Sequence, residues 1–176
     1  MRRRVFRQCR PKNHLEDGVA IWLLRLVLHA SPLDLFFDDE RELDTMLFRV
    51  VGIGDRGSVK LADAERILRQ KLGQLERGRP PECAPLRNAR IVGSLVGLNR
   101  AEVKVLGFCI AYQNEYLLRH FADQLTFSKH DWYRVLARIL KLQPDEVRRA
   151  LRRDGTLRTV PVLEPSDKGL DDDIPF

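Results

Sequence analysis

The sequence predicts a mainly α fold: a helical bundle with a C-terminal winged-helix-like subdomain and a short β-strand or hairpin. Three observations lead there. Apolar residues recur at spacings of three and four along most of the chain. Residues that start and stop helices punctuate those stretches, with Ser58, Asn99 and Pro144 before them and Gly97 and Gly155 after them. One stretch rich in β-branched residues follows near the C-terminal end. With 176 residues and 44% apolar content, the chain has enough material for one domain or for two small packed subdomains.

Residues 1–12 read as a basic arm carrying Arg2, Arg3, Arg4, Arg7 and Arg10 and no acid. An N-terminal helical subdomain, 13–78, opens with a helix over 14–30. Val19, Ile21, Trp22, Leu24, Leu26, Val27 and Leu28 make that helix apolar round most of its circumference, which places it at the centre. Ser31-Pro32 stops it. Leu43, Met46, Leu47, Val50 and Val51 predict a second helix over 39–51, and 52–57 is a loop. Ser58 has the position of an N-cap for a third helix, whose stripe is Leu61, Ala64, Ile67, Leu68, Leu72 and Leu75 and which ends near Glu76. Gly78-Arg79-Pro80-Pro81 is the clearest break.

The second subdomain, 79–165, begins with a helix over 84–96 that ends at Gly97. Asn99 caps the next helix, and Glu102 three residues on completes a capping box. That helix runs through Val103, Leu106, Phe108, Cys109, Ile110 and Tyr112, and a short one follows over 115–125. Ser128 with Asp131 marks another start, with Trp132, Val135, Leu136, Ile139 and Leu140 as the stripe. Pro144 suits a first helical turn, opening a helix over 143–153 that Asp154-Gly155 ends. Residues 156–164, with Pro161, read as a short edge strand. Residues 166–176 form an acidic linker or tail, with Asp167, Asp171, Asp172 and Asp173 against Lys168.

The net charge of +6 permits contact with nucleic acid or an acidic partner without demanding either. Cys9, Cys83 and Cys109 lie far apart without zinc-ligand spacing, as expected of free or buried thiols in a reducing, cytoplasmic compartment. The longest apolar run, 19–30, is broken by Arg25, and no cleavage site follows it. No apolar run is long enough to predict a membrane span.

Residues 52–57 spell GxGxxG after an apolar stretch. A dinucleotide site needs a strand before the glycines, a helix opening within them and an acid at a strand end about 20 residues on. Here the preceding stretch is helical in pattern, the next helix starts beyond the motif, and Gln74-Leu75-Glu76 lies in a helix tail. A glycine-rich connector is the expectation. There is no P-loop pattern, and the four histidines lack metal-ligand spacing. His120 and Asp123, three apart on a helix, read as a surface contact. No catalytic, cofactor-binding or metal-binding residue is singled out, and no enzyme activity is expected of this chain.

The order helix, short turn, helix, Gly turn and strand over 131–164 is that of a helix-turn-helix with a wing. Arg148, Arg149, Arg152 and Arg153 then share one basic face opposite Val147 and Leu151, with Arg158 on the wing. Such a face holds phosphates, although arginines at a helix C-terminus are also favoured by the helix dipole with no ligand present. With Trp132 and Tyr133 they form the candidate contact face for a protein or, alternatively, for DNA.

The stretch 95–102 (LVGLNRAE) with its apolar helix to Tyr112, and the stretches 132–140 (WYRVLARIL), 144–151 (PDEVRRAL) and 154–158 (DGTLR), resemble the N-terminal accessory region of bacterial AAA-type ATPases. Residues 20–26 (AIWLLRL) are similar as well. Residues 159–163 (TVPVL) depart from the family's strand by lacking its Ser-Gly. The resemblance implies a helical, winged-helix-like domain ahead of a motor. Such a domain recruits a protein substrate or adaptor, while ATP and Mg belong to the ATPase part of a longer parent protein.

Overall fold

The first helix, α1 (Asp17–His29), is apolar on every side apart from Arg25, and it is buried on every side from Gly18 to Leu28. Leu23, Leu24, Leu26 and Val27 are wholly inaccessible to solvent, and each contributes roughly 2 kcal/mol of apolar burial. A computed structural model describes residues 15–29, 47–49, 51–53, 61–77, 82–123, 129–152 and 155–159. Outside them lie the basic arm, the Ser31-Pro32 stop, most of the expected second helix, the Ser58 cap, the break at 78–81, the strand residues beyond Thr159 and the acidic tail.

Helix α2 (Leu61–Arg77) packs on α1 and buries Ala64, Leu68 and Leu72 of the expected stripe. Helices α3 (Ala84–Val96) and α4 (Arg100–Asn114) form a close pair, followed by α5 (Tyr116–Asp123) and α6 (Lys129–Leu140). Both α5 and α6 pack on α1, so helices from either side of residues 78–81 share one core around it. The chain continues through α7 (Pro144–Ala150), which packs on α4 and α6, to α8 (Thr156–Thr159). The described residues contain eight such helices and no strand.

Local chemistry explains several boundaries. Pro85 sits in the first turn of α3, and Gly97 ends it in the left-handed region at φ 75°. The Asn99 side chain accepts from the Ala101 and Glu102 N–H groups at 2.9 and 3.0 Å. The Glu102 carboxylate accepts from the Asn99 N–H at 2.8 Å, which closes the capping box. A Cβ on Gly107 would stand 3.2 Å from the Leu86 Cα, so glycine lets the α3 and α4 backbones approach this closely.

The first glycine of the GxGxxG string has a plain task. Residues 47–49 are helical. Gly52 donates to the Arg49 carbonyl at 3.1 Å and Ile53 to the Phe48 carbonyl at 2.8 Å, while Gly52 holds φ 74°. That pattern terminates a helix.

Two expectations near the C-terminal end are corrected. Helix α7 stops at Ala150 and does not reach residue 153. The chain turns so closely beneath its end that a Cβ on Gly155 would meet the Arg152, Arg149 and Ala150 carbonyl oxygens at 3.0 to 3.5 Å. Residues Thr156–Thr159, expected to open an edge strand, form a helical turn instead. The Leu157 side chain is fully buried there, and its burial overrides the β preference of the flanking threonines.

Candidate functional site

Of the basic face expected on 148–158, the described side chains are Arg148, Arg149 and Arg152, all exposed. Arg148 and Arg149 lie on the last turn of α7, but Arg152 stands beyond its end. Arg153 lies outside the described residues, and Arg158 belongs to the α8 turn and not to a wing strand. The Arg148 guanidinium lies 3.7 Å from the Asp145 carboxylate and 5.9 Å from the centroid of the Tyr133 ring. Arg149 donates to the Asp145 carbonyl at 3.3 Å. Trp132, expected both in the stripe of this helix and on the contact face, is buried as the stripe requires. It shares its face of α6 with Val135, Leu136 and Ile139, and that face points to the core. Tyr133 is half-buried. His120 stacks on Tyr116 at 5.6 Å, and Asp123 accepts a hydrogen bond from the Tyr112 hydroxyl instead of engaging His120.

A different cluster stands at the centre. Arg25 is the one charged side chain among the buried residues of α1. Its Nε and Nη2 each lie 2.9 Å from Glu76 Oε1 on α2, and its Nη1 donates to the Ile139 carbonyl on α6. Lys141 Nζ donates to the other Glu76 oxygen at 3.1 Å. Burial by itself would raise the Glu76 carboxyl. Hydrogen bonds from Lys141 and Arg25, with their charges, outweigh it and hold the group below its ordinary 4.5.

Lys141 reaches Glu76 from an unusual backbone. At φ 49° it is the non-glycine residue with positive φ among the described residues. It occupies the position after α6 where a helix-ending glycine normally sits, with Leu142 donating to the Ala137 carbonyl at 2.9 Å. A lysine held there costs roughly 1 kcal/mol relative to glycine.

This trio walls two clefts. The first, about 810 Å³, lies between the ends of α1 and α2, the side of α6 and the α6–α7 turn. Its charged lining is Arg25, Arg134, Arg138 and Lys141 against Glu76, with His29 at the edge. Arg134 and Arg138, one helical turn apart, are exposed. Neither has a carboxylate within ion-pair distance among the described residues. Partial burial, then the charges of Arg138, Arg69 and Arg25, hold the His29 imidazole below its ordinary 6.5. The second cleft, about 570 Å³, is lined by the same trio. Ile21, Trp22, Leu86 and Leu98 supply apolar wall and Arg100 and Lys104 supply cations.

Sequence reading passed over these residues. Arg25 registered only as a break in an apolar run. The available signal was that a charge inside a helix apolar all round requires a buried partner. Among the described residues no group of three His, Cys, Asp or Glu side chains comes together to hold a metal. No helix among them is long and apolar enough to cross a membrane. Cys109 is fully buried, and burial pushes its thiol up to about 12. No protein-family model, curated protein or solved structure matches the chain.

Proposed function

We propose that this chain is a non-catalytic binding domain that recruits a protein partner by holding an acidic segment of it in the first cleft. One observation carries the reading: Arg25, Arg134, Arg138 and Lys141 line that cleft against Glu76, which two of them already engage. An electropositive concavity with partly desolvated walls attracts and holds carboxylates. The reading agrees with the accessory role that the sequence resemblance implies. In that role the domain delivers a substrate or adaptor to an AAA-type motor, and ATP and Mg stay with the motor. The turn between α6 and α7 is then the corner of a helix-turn-helix used for protein contact, within a winged-helix-like subdomain.

Fluorescence anisotropy on the full chain tests it, with a labelled twelve-residue peptide of alternating acidic and small polar residues against a labelled DNA duplex of equal charge. The peptide is expected to bind, to weaken with added salt, and to lose at least about tenfold in affinity when Arg134→Glu and Arg138→Glu are combined. Equal peptide binding by that variant, or tighter binding of the duplex, would replace this reading with another.

A further inference from the structure

We infer that the second cleft reads the same partner segment at a second position, taking one large apolar side chain whose neighbouring carboxylate lies on Lys104 and Arg100. This rests on the proposed recruitment of an acidic segment. It adds that the segment is acidic and apolar by turns.

Three features of the cleft carry the inference. Its wall is apolar and firm: Trp22 is buried and meets Phe108 edge to face at 5.9 Å between ring centroids. At about 570 Å³ the space admits a leucine or phenylalanine side chain with part of its backbone. Its cations are available. Lys104 Nζ donates to the Leu140 and Lys141 carbonyl oxygens at 2.9 and 3.4 Å. No carboxylate of the described residues lies within ion-pair distance of Lys104 or Arg100. Burial, then the charges of Arg100 and Arg25, outweigh the nearby Glu146 and lower the Lys104 ammonium from its ordinary 10.5, so an arriving anion adds to a partial compensation. The third feature is continuity. Arg25, Glu76 and Lys141 line both clefts, so one extended chain running from the first into the second meets the cations of one and the apolar wall of the other.

The experiment measures the full chain against two labelled acidic peptides that differ only at a central residue, Leu in one and Ser in the other. The Leu peptide is expected to bind at least about tenfold tighter, the size of effect that burying one leucine produces. Lys104→Met keeps the aliphatic stem and removes the charge. It is expected to weaken the Leu peptide about fivefold or more, and to leave unchanged a version with Gln in place of the Glu beside the leucine. Equal binding of the Leu and Ser peptides overturns this inference and leaves acidic recruitment standing, whereas binding of neither overturns both. Affinity that rises about tenfold on removing residues 166–176 also overturns it. The occupant would then be the chain's own segment, where Asp167, Asp171 and Asp172 surround Leu170.

Discussion

Removing the Glu76 charge tests the central trio most directly. The Arg25 side chain is 11% exposed and the Glu76 side chain 27%. With Glu76→Gln, the Arg25 guanidinium keeps the Ile139 carbonyl and a neutral amide in place of an ionised partner. Removing one partner of a fully buried pair costs about 3–5 kcal/mol. Water reaches part of the Glu76 carboxylate and Lys141 is 62% exposed, so the expected loss is smaller, about 2 kcal/mol. For a chain of this length that lowers Tm by about 4–8 °C. Arg25→Met fills the same apolar space and leaves Glu76 with Lys141, so its cost is about 1 kcal/mol. Once the guanidinium is gone, Glu76→Gln has little left to disturb. The double variant is therefore expected to lose about 1–1.5 kcal/mol, well short of the sum, with a coupling energy of about 1.5–2 kcal/mol. Urea melts of all four proteins, followed by circular dichroism at neutral pH, measure the cycle. Additive losses would show that the two side chains touch without depending on one another and would refute the coupling.

Three further outcomes are expected. Lys141→Gly relieves the positive-φ backbone while Lys141→Ala does not, so in thermal melts the glycine variant is more stable than the alanine variant by roughly 1 kcal/mol, and both bind the acidic peptide less well than the parent. Asn99→Ala removes the acceptor for the Ala101 and Glu102 N–H groups and costs about 1 kcal/mol in urea melts. Stability falls as pH drops from neutral in two windows. An unfolded His29 takes up its proton near 6.5 while the folded one resists, so stability declines below that pH, and His29→Gln flattens this part of the curve. Glu76 is held low in the fold, so its contribution is present above 4.5 and is lost as pH falls through the folded value; Glu76→Gln flattens that part. Urea melts between pH 7.5 and pH 3.5 check both.

What could be read from the sequence was what short-range chemistry determines. Pro85 and Gly97 mark α3 at both ends, and Asn99 with Glu102 starts α4, because each acts on backbone groups within four residues of itself. The centrality of α1 was legible because a helix apolar on all sides has no other stable place. The site was not legible, because its bonds span the chain: Arg25 meets Glu76 fifty-one residues away and Ile139 at a separation of 114. Lys141 was hidden for a second reason. It ends α6 in a conformation whose usual marker is glycine, so its position carried no local sign. Trp132 was given two incompatible places, in the α6 stripe and on the contact face, and the stripe was right because Val135, Leu136 and Ile139 at its i+3, i+4 and i+7 positions are buried with it. At 156–159, local β preference lost to the burial of Leu157.

The lone guanidinium of α1 has a consequence for how the bundle chooses its arrangement. A cylinder of leucine, valine and isoleucine among other apolar helices gains almost the same burial at many angles of rotation and at neighbouring axial offsets. Turning α1 by a quarter, or sliding it one turn, would carry Arg25 away from Glu76 and Ile139 and strand a charge in hydrocarbon. The rest of the helix supplies cohesion without direction, and this one side chain keys its phase and offset among the surrounding helices.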